Sequence, residues 1–185
     1  MLLKVDVLAL YKSANAYLEG HFLLASGRHA PAFLQSTRVL QYPNYADVIG
    51  RALASRFKKV DFVIGPAMGG VVLAHVVAKP LACRALFAEK DGKGGMLIRE
   101  AFEIKPGERF IAVEDVITTG GSLKKAVQVA EAAGAVCAGA ACIIDRRPEA
   151  LRAEWKLEAL EVLPLTSYPA DDCPLCQQGI VLEEV

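Results

Sequence analysis

Phe110-Ile111-Ala112-Val113-Glu114-Asp115-Val116-Ile117-Thr118-Thr119-Gly120-Gly121-Ser122 is the stretch from which the fold can be read. An apolar run leads into two adjacent carboxylates. Hydroxyls and glycines follow, and then the amphipathic pattern of Leu123, Ala126, Val127 and Ala130 begins. This order puts the acids at the carboxyl end of a strand. It also puts a turn of unpaired backbone N–H groups beside them, where the helix starts. Such N–H groups attract a phosphate. The carboxylates would repel it, so they face something else: a sugar's hydroxyls or a metal. The segment asks for a ligand that carries both a phosphate and a polyol.

Strand and helix patterns alternate on both sides of this stretch. Upstream, Ile49, Leu53 and Phe57 mark one face of a helix running from about Ala46. Residues 60–64 are a short apolar run stopped by Gly65-Pro66, a buried strand followed by a turn. A helix over residues 69–78 and a strand over 84–87 come next. Downstream, Gly134 fits the position just past a helix end. Residues 137–144 then read as a second long apolar strand and 157–163 as a third. At the N-terminus, Leu3, Val7, Leu10, Ala14 and Leu18 keep helical spacing. They predict an amphipathic helix over residues 2–19 that Gly20 ends, with short strands and turns over 21–43. Residues 88–107 are polar and contain Gly92, Gly94, Gly95 and Gly107, which predicts a mobile, hairpin-like loop rather than a linker. The alternation predicts an α/β fold with a parallel central sheet flanked by helices. In such sheets ligands gather beyond the carboxyl ends of the strands.

The chain has 185 residues, which suits one domain, and its apolar fraction of 54% can bury a sheet with helices on both faces. Lys+Arg and Asp+Glu both number 21, so no overall charge points to nucleic acid or to a membrane surface. No apolar run approaches the roughly 20 residues of a membrane span. Residues 1–6 lack the long apolar core of a secretion signal. Cys83, Cys137 and Cys142, three of five cysteines, sit in apolar surroundings typical of buried thiols. The expectation is a soluble, cytoplasmic protein.

The run from Glu114 to Ser122 resembles the signature of the type I phosphoribosyltransferases, which bind phosphoribosyl diphosphate (PRPP). The resemblance implies that fold for the whole chain. Residues 44–165 would form the core. A small hood would come from residues 1–43 and the C-terminal tail. It further implies that Glu114 and Asp115 lie against the ribose hydroxyls. Val116, Ile117, Thr118, Thr119, Gly120, Gly121 and Ser122 would complete the PRPP site, the loop wrapping the 5′-phosphate. Gly65-Pro66-Ala67-Met68-Gly69-Gly70 supplies a second glycine-rich turn, in which Ala67, Met68, Gly69 and Gly70 would let backbone amides approach the diphosphate.

The acceptor base is indicated by two further segments. Gly20-His21-Phe22-Leu23-Leu24-Ala25-Ser26-Gly27-Arg28-His29-Ala30-Pro31-Ala32-Phe33-Leu34-Gln35 resembles the hood of orotate phosphoribosyltransferases, with its S-G-R-x-x-P core, and Arg38-Val39-Leu40-Gln41-Tyr42-Pro43 continues the likeness. The resemblance implies that Phe33 and Leu34 wall the pyrimidine. Asp145-Arg146 follows the apolar run at the position where that family uses an Arg for the base. Orotate carries a carboxylate, and an Arg fork suits one. Arg146 is therefore the expected anchor, with Thr118 beside it; Arg147 competes for the role or is a solvated surface charge.

The chain departs from the common pattern in three places. Many orotate enzymes have a Lys where this chain has Gly69, and often another where it has Ala25. Their loop is longer, with several Lys and a His, whereas Glu89-Lys90-Asp91-Gly92-Lys93-Gly94-Gly95-Met96 has no histidine. This looks like a short-loop variant. Lys90 and Lys93 are then the expected catalytic cations for the departing diphosphate, with Arg99 behind them and Lys90 also touching PRPP. Asp115 is the catalytic carboxylate. Mg²⁺ would be held mainly through PRPP, with no direct protein ligand, and family members are homodimers. Cys173-Pro174-Leu175-Cys176 is a C-x-x-C whose sister cysteines lie far off. The motif has redox and zinc readings, but a structural zinc needs four ligands, so two reduced thiols in a tail turn is the default expectation. Two rival functions remain: transfer to a purine or uracil, and a PRPP-sensing regulator.

Overall fold

The computed structural model describes residues 3–24, 26–154, 157–164 and 166–184. In chain order it contains α1 (Val7–Ser13), β1 (Tyr17–Leu23), β2 (His29–Leu34), α2 (Ser36–Leu40), α3 (Pro43–Ala54), β3 (Phe62–Pro66), α4 (Gly69–Leu81), β4 (Arg84–Lys90) and β5 (Met96–Leu97). There follow β6 (Arg109–Ile117), α5 (Gly121–Ala132), β7 (Val136–Asp145), α6 (Glu149–Glu154), β8 (Glu158–Val162), a 3-10 turn (Ala170–Asp172), α7 (Pro174–Gln177) and β9 (Glu183–Glu184). Among the described residues the strands form two sheets, a six-stranded one in the order β5-β4-β3-β6-β7-β8 and a three-stranded one in the order β2-β1-β9.

The large sheet is parallel except for its edge strand β5, which pairs antiparallel with β4. Its central strand β3 is buried along its whole length, and β6 and β7 carry long apolar runs, because both faces of the sheet are covered there. In β3 and β6, Val63, Ile111 and Val113 enter the core under α3 and α4. Phe62, Ile64, Phe110 and Ala112 enter the core under α5. The period-2 alternation of strand side chains thus divides one apolar run between two cores. Phe62 and Phe110 stack with ring centroids 5.1 Å apart, which locks the register of the two central strands.

Several boundaries differ from the sequence expectation. The first helix covers Val7–Ser13 only, capped by the Asp6 carboxylate, which accepts from the Ala9 N–H at 2.9 Å. Asn15 takes φ 49° and turns the chain out of the helix, so Tyr17 and Leu18 lie in β1. Helical spacing of apolar residues misled here because β1 buries its own apolar positions. Gly20 does not end a helix but sits in β1, where pairing with β2 slips between Glu19 and Phe22. α3 begins at Pro43, the favoured first position of a helix, and Phe57 packs on the core from beyond its end. The 88–107 segment does contain a hairpin, with Lys90 opposite Met96. The Asp91 carboxylate ties its turn by accepting from the N–H groups of Lys93 (2.7 Å) and Gly95 (2.9 Å).

The strand that carries the acids toward its carboxyl end runs on to Ile117, because its neighbour β7 pairs with it as far as Asp145. No helix among the described residues is long and apolar enough to cross a membrane. The tail cysteines do not stand alone: His21 and His29 lie beside Cys173 and Cys176.

Candidate active site

The carboxyl ends of β3, β6 and β7 open onto one side of the large sheet, and the expected residues of the two glycine turns, the acid pair and Arg146 lie there. Glu114 and Asp115 lie in the last turns of pleat of β6, half-buried. Burial pushes the Glu114 carboxyl up to about 7; the neighbouring Asp115 charge adds to this, while the Leu123 backbone N–H works against it. Two acids side by side at the mouth of a parallel sheet, one of them poised near neutrality, form a local negative field that suits a cationic group.

After Ile117 the chain turns through exposed Thr118 and Thr119 into Gly120, whose φ of 80° lies in the left-handed region. The left-handed glycine reverses the chain so that α5 starts at Gly121, and its first N–H groups face the strand ends. Gly121 and Ser122 are exposed.

A second turn flanks the first. Gly65 and Gly70 pack against each other so closely that a Cβ on Gly65 would collide with the Gly70 carbonyl, while a Cβ on Gly70 would lie 2.9 Å from Gly65 backbone. This tight strand-to-helix turn presents Ala67, exposed Met68 and Gly69 beside β6. The Ala67–Met68 peptide is cis. A Cβ on Gly69 would come within 3.0 Å of Asp115 Oδ1, so the absence of a side chain leaves room for the carboxylate. That is a physical setting for a glycine where a Lys was expected. Ala25, the other departure, lies outside the described residues.

Arg146 and Arg147 part company. Arg147 is not a surface charge. It is 2% exposed, its Nε donates to Asp145 Oδ1 at 3.0 Å and its Nη2 to Asp145 Oδ2 at 2.9 Å. Burial alone would raise the Asp145 carboxyl, but the Arg147 fork outweighs it and holds that carboxyl below its ordinary range. Asp145 and Arg147 are two residues apart and share a side, so Arg146 between them points the other way. Its backbone is fixed by donation to the Ile117 carbonyl at 2.8 Å. Its Nε is buried and, among the described residues, has no hydrogen-bond partner.

Arg146 lines a cavity of about 610 Å³, within the range of small-molecule sites. Phe33 and Leu34 form one wall of it, and Val116, Thr118 and Thr119 another. The four side chains expected to hold a base are thus brought together. Arg28 also lines the cavity, held by Ser167 through its Nε (2.8 Å to Oγ) and Nη2 (2.6 Å to the carbonyl). Nothing local to Arg28 in the sequence announced Ser167, which lies 139 residues away.

A neighbouring cavity of about 340 Å³ joins Lys90 to Ser122 and to the hairpin glycines. Lys93 lines neither cavity. Arg99 is committed to Glu89, with its Nε 3.0 Å from Oε1 and its Nη2 2.8 Å from Oε2. Lys125, which the sequence reading missed, lines the smaller cavity and donates to the Gly94 carbonyl at 2.6 Å, tying the hairpin to α5. Its spacing of three from Ser122 places it one turn along the same helix face, the signal that could have found it.

Comparison with known proteins identifies the assembly. Residues 35–161 match the family described as the phosphoribosyl transferase domain. Orotate phosphoribosyltransferase of Thermus thermophilus is 56% identical over 183 residues, covering 98% of this chain and 100% of the relative. The enzyme of that name from Deinococcus radiodurans is 49% identical over 181 residues, covering 92% of this chain and 93% of the relative. The chain belongs to the orotate phosphoribosyltransferase family. Among solved structures, orotate phosphoribosyltransferase from Aeropyrum pernix superposes with a TM-score of 0.68 at 26% identity, covering 84% of this chain and 92% of that one. The family match ends before the tail, whereas the full-length relatives of the orotate phosphoribosyltransferase family include it.

Proposed function

We propose that this member of the orotate phosphoribosyltransferase family transfers the ribose 5-phosphate group of PRPP to orotate. The products are orotidine 5′-monophosphate and diphosphate, a step of pyrimidine nucleotide synthesis. The observation that carries the reading is the cavity that Arg146, whose buried Nε has no hydrogen-bond partner among the described residues, lines together with the apolar side chains of Phe33 and Leu34. A flat ring bearing a carboxylate fits an apolar slot with an Arg fork at one end.

Each residue then has a task. Arg146 holds the orotate carboxylate, Thr118 reaches a ring oxygen, and Phe33 and Leu34 cover the ring. The Thr118–Ser122 turn and the α5 N–H groups hold the 5′-phosphate. Ala67, Met68, Gly69 and Gly70 offer backbone N–H groups to the diphosphate. Orotate N1 is an acidic, imide-like nitrogen that gives up its proton to solvent and, as the anion, attacks C1 of the ribose as the C1–O bond to diphosphate breaks, once both partners are held in line. Positive charge develops on the ribose in a transition state resembling that of glycoside hydrolysis. Glu114 and Asp115 stabilise it electrostatically. Glu114, half ionised near neutrality, is drawn to its anionic form as that charge appears. No covalent nucleophile is involved. Lys90 neutralises the departing diphosphate, Lys93 reinforcing it when the 88–107 loop closes and excludes water.

Mg²⁺ prefers oxygen ligands and keeps several outside the protein. The adjacent carboxylates Glu114 and Asp115 fit a metal held mainly by substrate oxygens. Among the described residues the group of three or more potential ligands that does gather lies elsewhere and offers nitrogen and sulfur. When bound, Mg²⁺ supplies charge neutralisation to the diphosphate. The working unit we propose is a single domain, hood included, in a cytoplasmic homodimer.

Incubating the protein with PRPP, Mg²⁺ and, in turn, orotate, uracil, adenine, guanine or hypoxanthine tests the reading through diphosphate release. Orotate alone is expected to support turnover. Turnover with another base and none with orotate would overturn it, and PRPP binding without turnover of any base would favour a sensor.

A further inference from the structure

Outside the active site, four side chains with soft or borderline donor atoms converge. His21 Nε2 lies 2.9 Å from His29 Nδ1. Cys173 Sγ lies 3.5 Å from His21 Nε2. Cys176 Sγ lies 3.8 Å from His21 Nε2 and 3.4 Å from His29 Nδ1. All four donor atoms fall within 4.8 Å of one another. A tetrahedral ion with metal–nitrogen bonds of about 2.0–2.1 Å and metal–sulfur bonds of about 2.3 Å spaces its donors about 3.3–3.8 Å apart. The cluster has nearly that geometry.

The ring of His21 is set up as a ligand. Its Nδ1 lies 2.8 Å from the Ile180 carbonyl, which can only accept, so Nδ1 carries the proton. Nε2 therefore presents its lone pair to the cluster. A histidine donating its remote N–H to a backbone carbonyl is the usual outer support of a metal-bound imidazole. His29 is placed by paired backbone bonds with Tyr168, at 2.9 and 2.8 Å. His21, His29 and Cys173 are 1%, 5% and 1% exposed, while Cys176 is exposed at the rim.

The local fold makes the convergence. β1 carries an extra residue between Glu19 and Phe22 relative to β2, and His21 and Phe22 are consecutively buried, against the usual alternation. A bulge of this kind re-aims a side chain. Pro174 at the first turn of α7 starts a short helix that brings Cys176 back over Cys173.

We infer that His21, His29, Cys173 and Cys176 bind a structural zinc ion that fastens the C-terminal tail to the β1–β2 hairpin. Two thiolates and two imidazoles in a tetrahedral arrangement select zinc over magnesium, calcium or manganese, which take oxygen ligands. Four protein donors leave no open position, so the ion is structural rather than catalytic. Its mechanical purpose is visible in the small sheet. Among the described residues β9 pairs with β1 through Phe22–Glu183 and Leu23–Glu184 alone. Yet the hairpin contributes Phe33, Leu34 and Arg28 to the large cavity, and the tail contributes Ser167.

Full-length protein purified under reducing conditions from zinc-supplemented cells is expected to carry a single zinc ion per chain by elemental analysis. The paired substitution Cys173→Ser with Cys176→Ser should lose it. Cobalt exchanged for zinc should give the intense visible bands of a tetrahedral thiolate site. If the double variant does not fold, chelation of the wild-type protein serves instead. The melting temperature should fall by roughly 5–10 °C and be restored by zinc but not by magnesium. No metal in the purified protein together with no binding in a zinc titration would overturn the inference. So would a Cys173–Cys176 disulfide in freshly isolated protein, or zinc retained by the double variant.

Discussion

The β6–α5 corner and the small sheet both line the large cavity, but they are held in different ways. The corner rests on central parallel strands buried on both faces, with the Asp145–Arg147 pair locked beneath it. Its polar groups are contiguous in the chain and their geometry follows from one strand, one turn and one helix start. The small sheet is assembled from the two ends of the chain and has little core of its own. It relies on polar contacts at long sequence separation: Arg28 with Ser167, His29 with Tyr168, and the four-donor cluster. The difference teaches that the paired acids are built on the rigid part, while the wall of the cavity opposite them is held by clasps.

The comparison can be broken at several points. Arg147→Ala should cost about 3–5 kcal/mol of stability in urea unfolding, because it leaves Asp145 buried without its partner; a loss below about 1 kcal/mol would deny the corner its rigid foundation. Asp115→Asn should lower turnover on the order of 10²–10³-fold with little change in unfolding, as expected for a preorganised electrostatic group. Unchanged turnover would move the reaction centre elsewhere. Arg146→Ala should reduce kcat/KM for orotate about 10–100-fold while leaving the KM for PRPP nearly unchanged. Equal losses for both substrates would refute its role as the base anchor.

Glu114 gives a subtler contrast. Its pKa is raised on folding, so the native protein holds more protons than the unfolded chain between the ordinary carboxylate range and about 7. Stability therefore falls as pH rises through that window and levels off above it. Glu114→Gln should remove this slope and gain about 1–3 kcal/mol near pH 8; an unchanged slope in pH-dependent unfolding would sink the assignment. Least of all, Arg28→Ala should raise the KM for orotate about 2–10-fold, since it releases two exposed bonds to Ser167. A larger effect would mean that Arg28 touches the base directly.

Much of the corner was legible in the chain order. The acids, threonines, glycines and Ser122 are neighbours, and Arg146 follows directly on an apolar strand. The alternation of strand and helix also declared the parallel sheet. Where the reading failed, the cause was a partner distant in sequence. Arg147 looked like a surface charge because nothing local says that β7 buries both it and Asp145. Residues 14–18 looked helical because their spacing hides the strand that pairs with β2. Cys173 and Cys176 looked like tail thiols because their histidines lie some 150 positions earlier, His21 being 152 residues from Cys173.

By itself the sequence determined a parallel α/β fold, a corner of paired acids beside a glycine turn and a helix start, and the family resemblance. These depend on residues within a few positions of one another, where strand pleat, turn conformation and helix start dictate direction. Only the tertiary structure decided which Arg lines the large cavity and which is buried against Asp145, which loop cations approach α5, and that a bulge at Gly20-His21 turns His21 toward the tail. Those outcomes depend on strand pairing and on chain ends meeting, which local propensity does not encode.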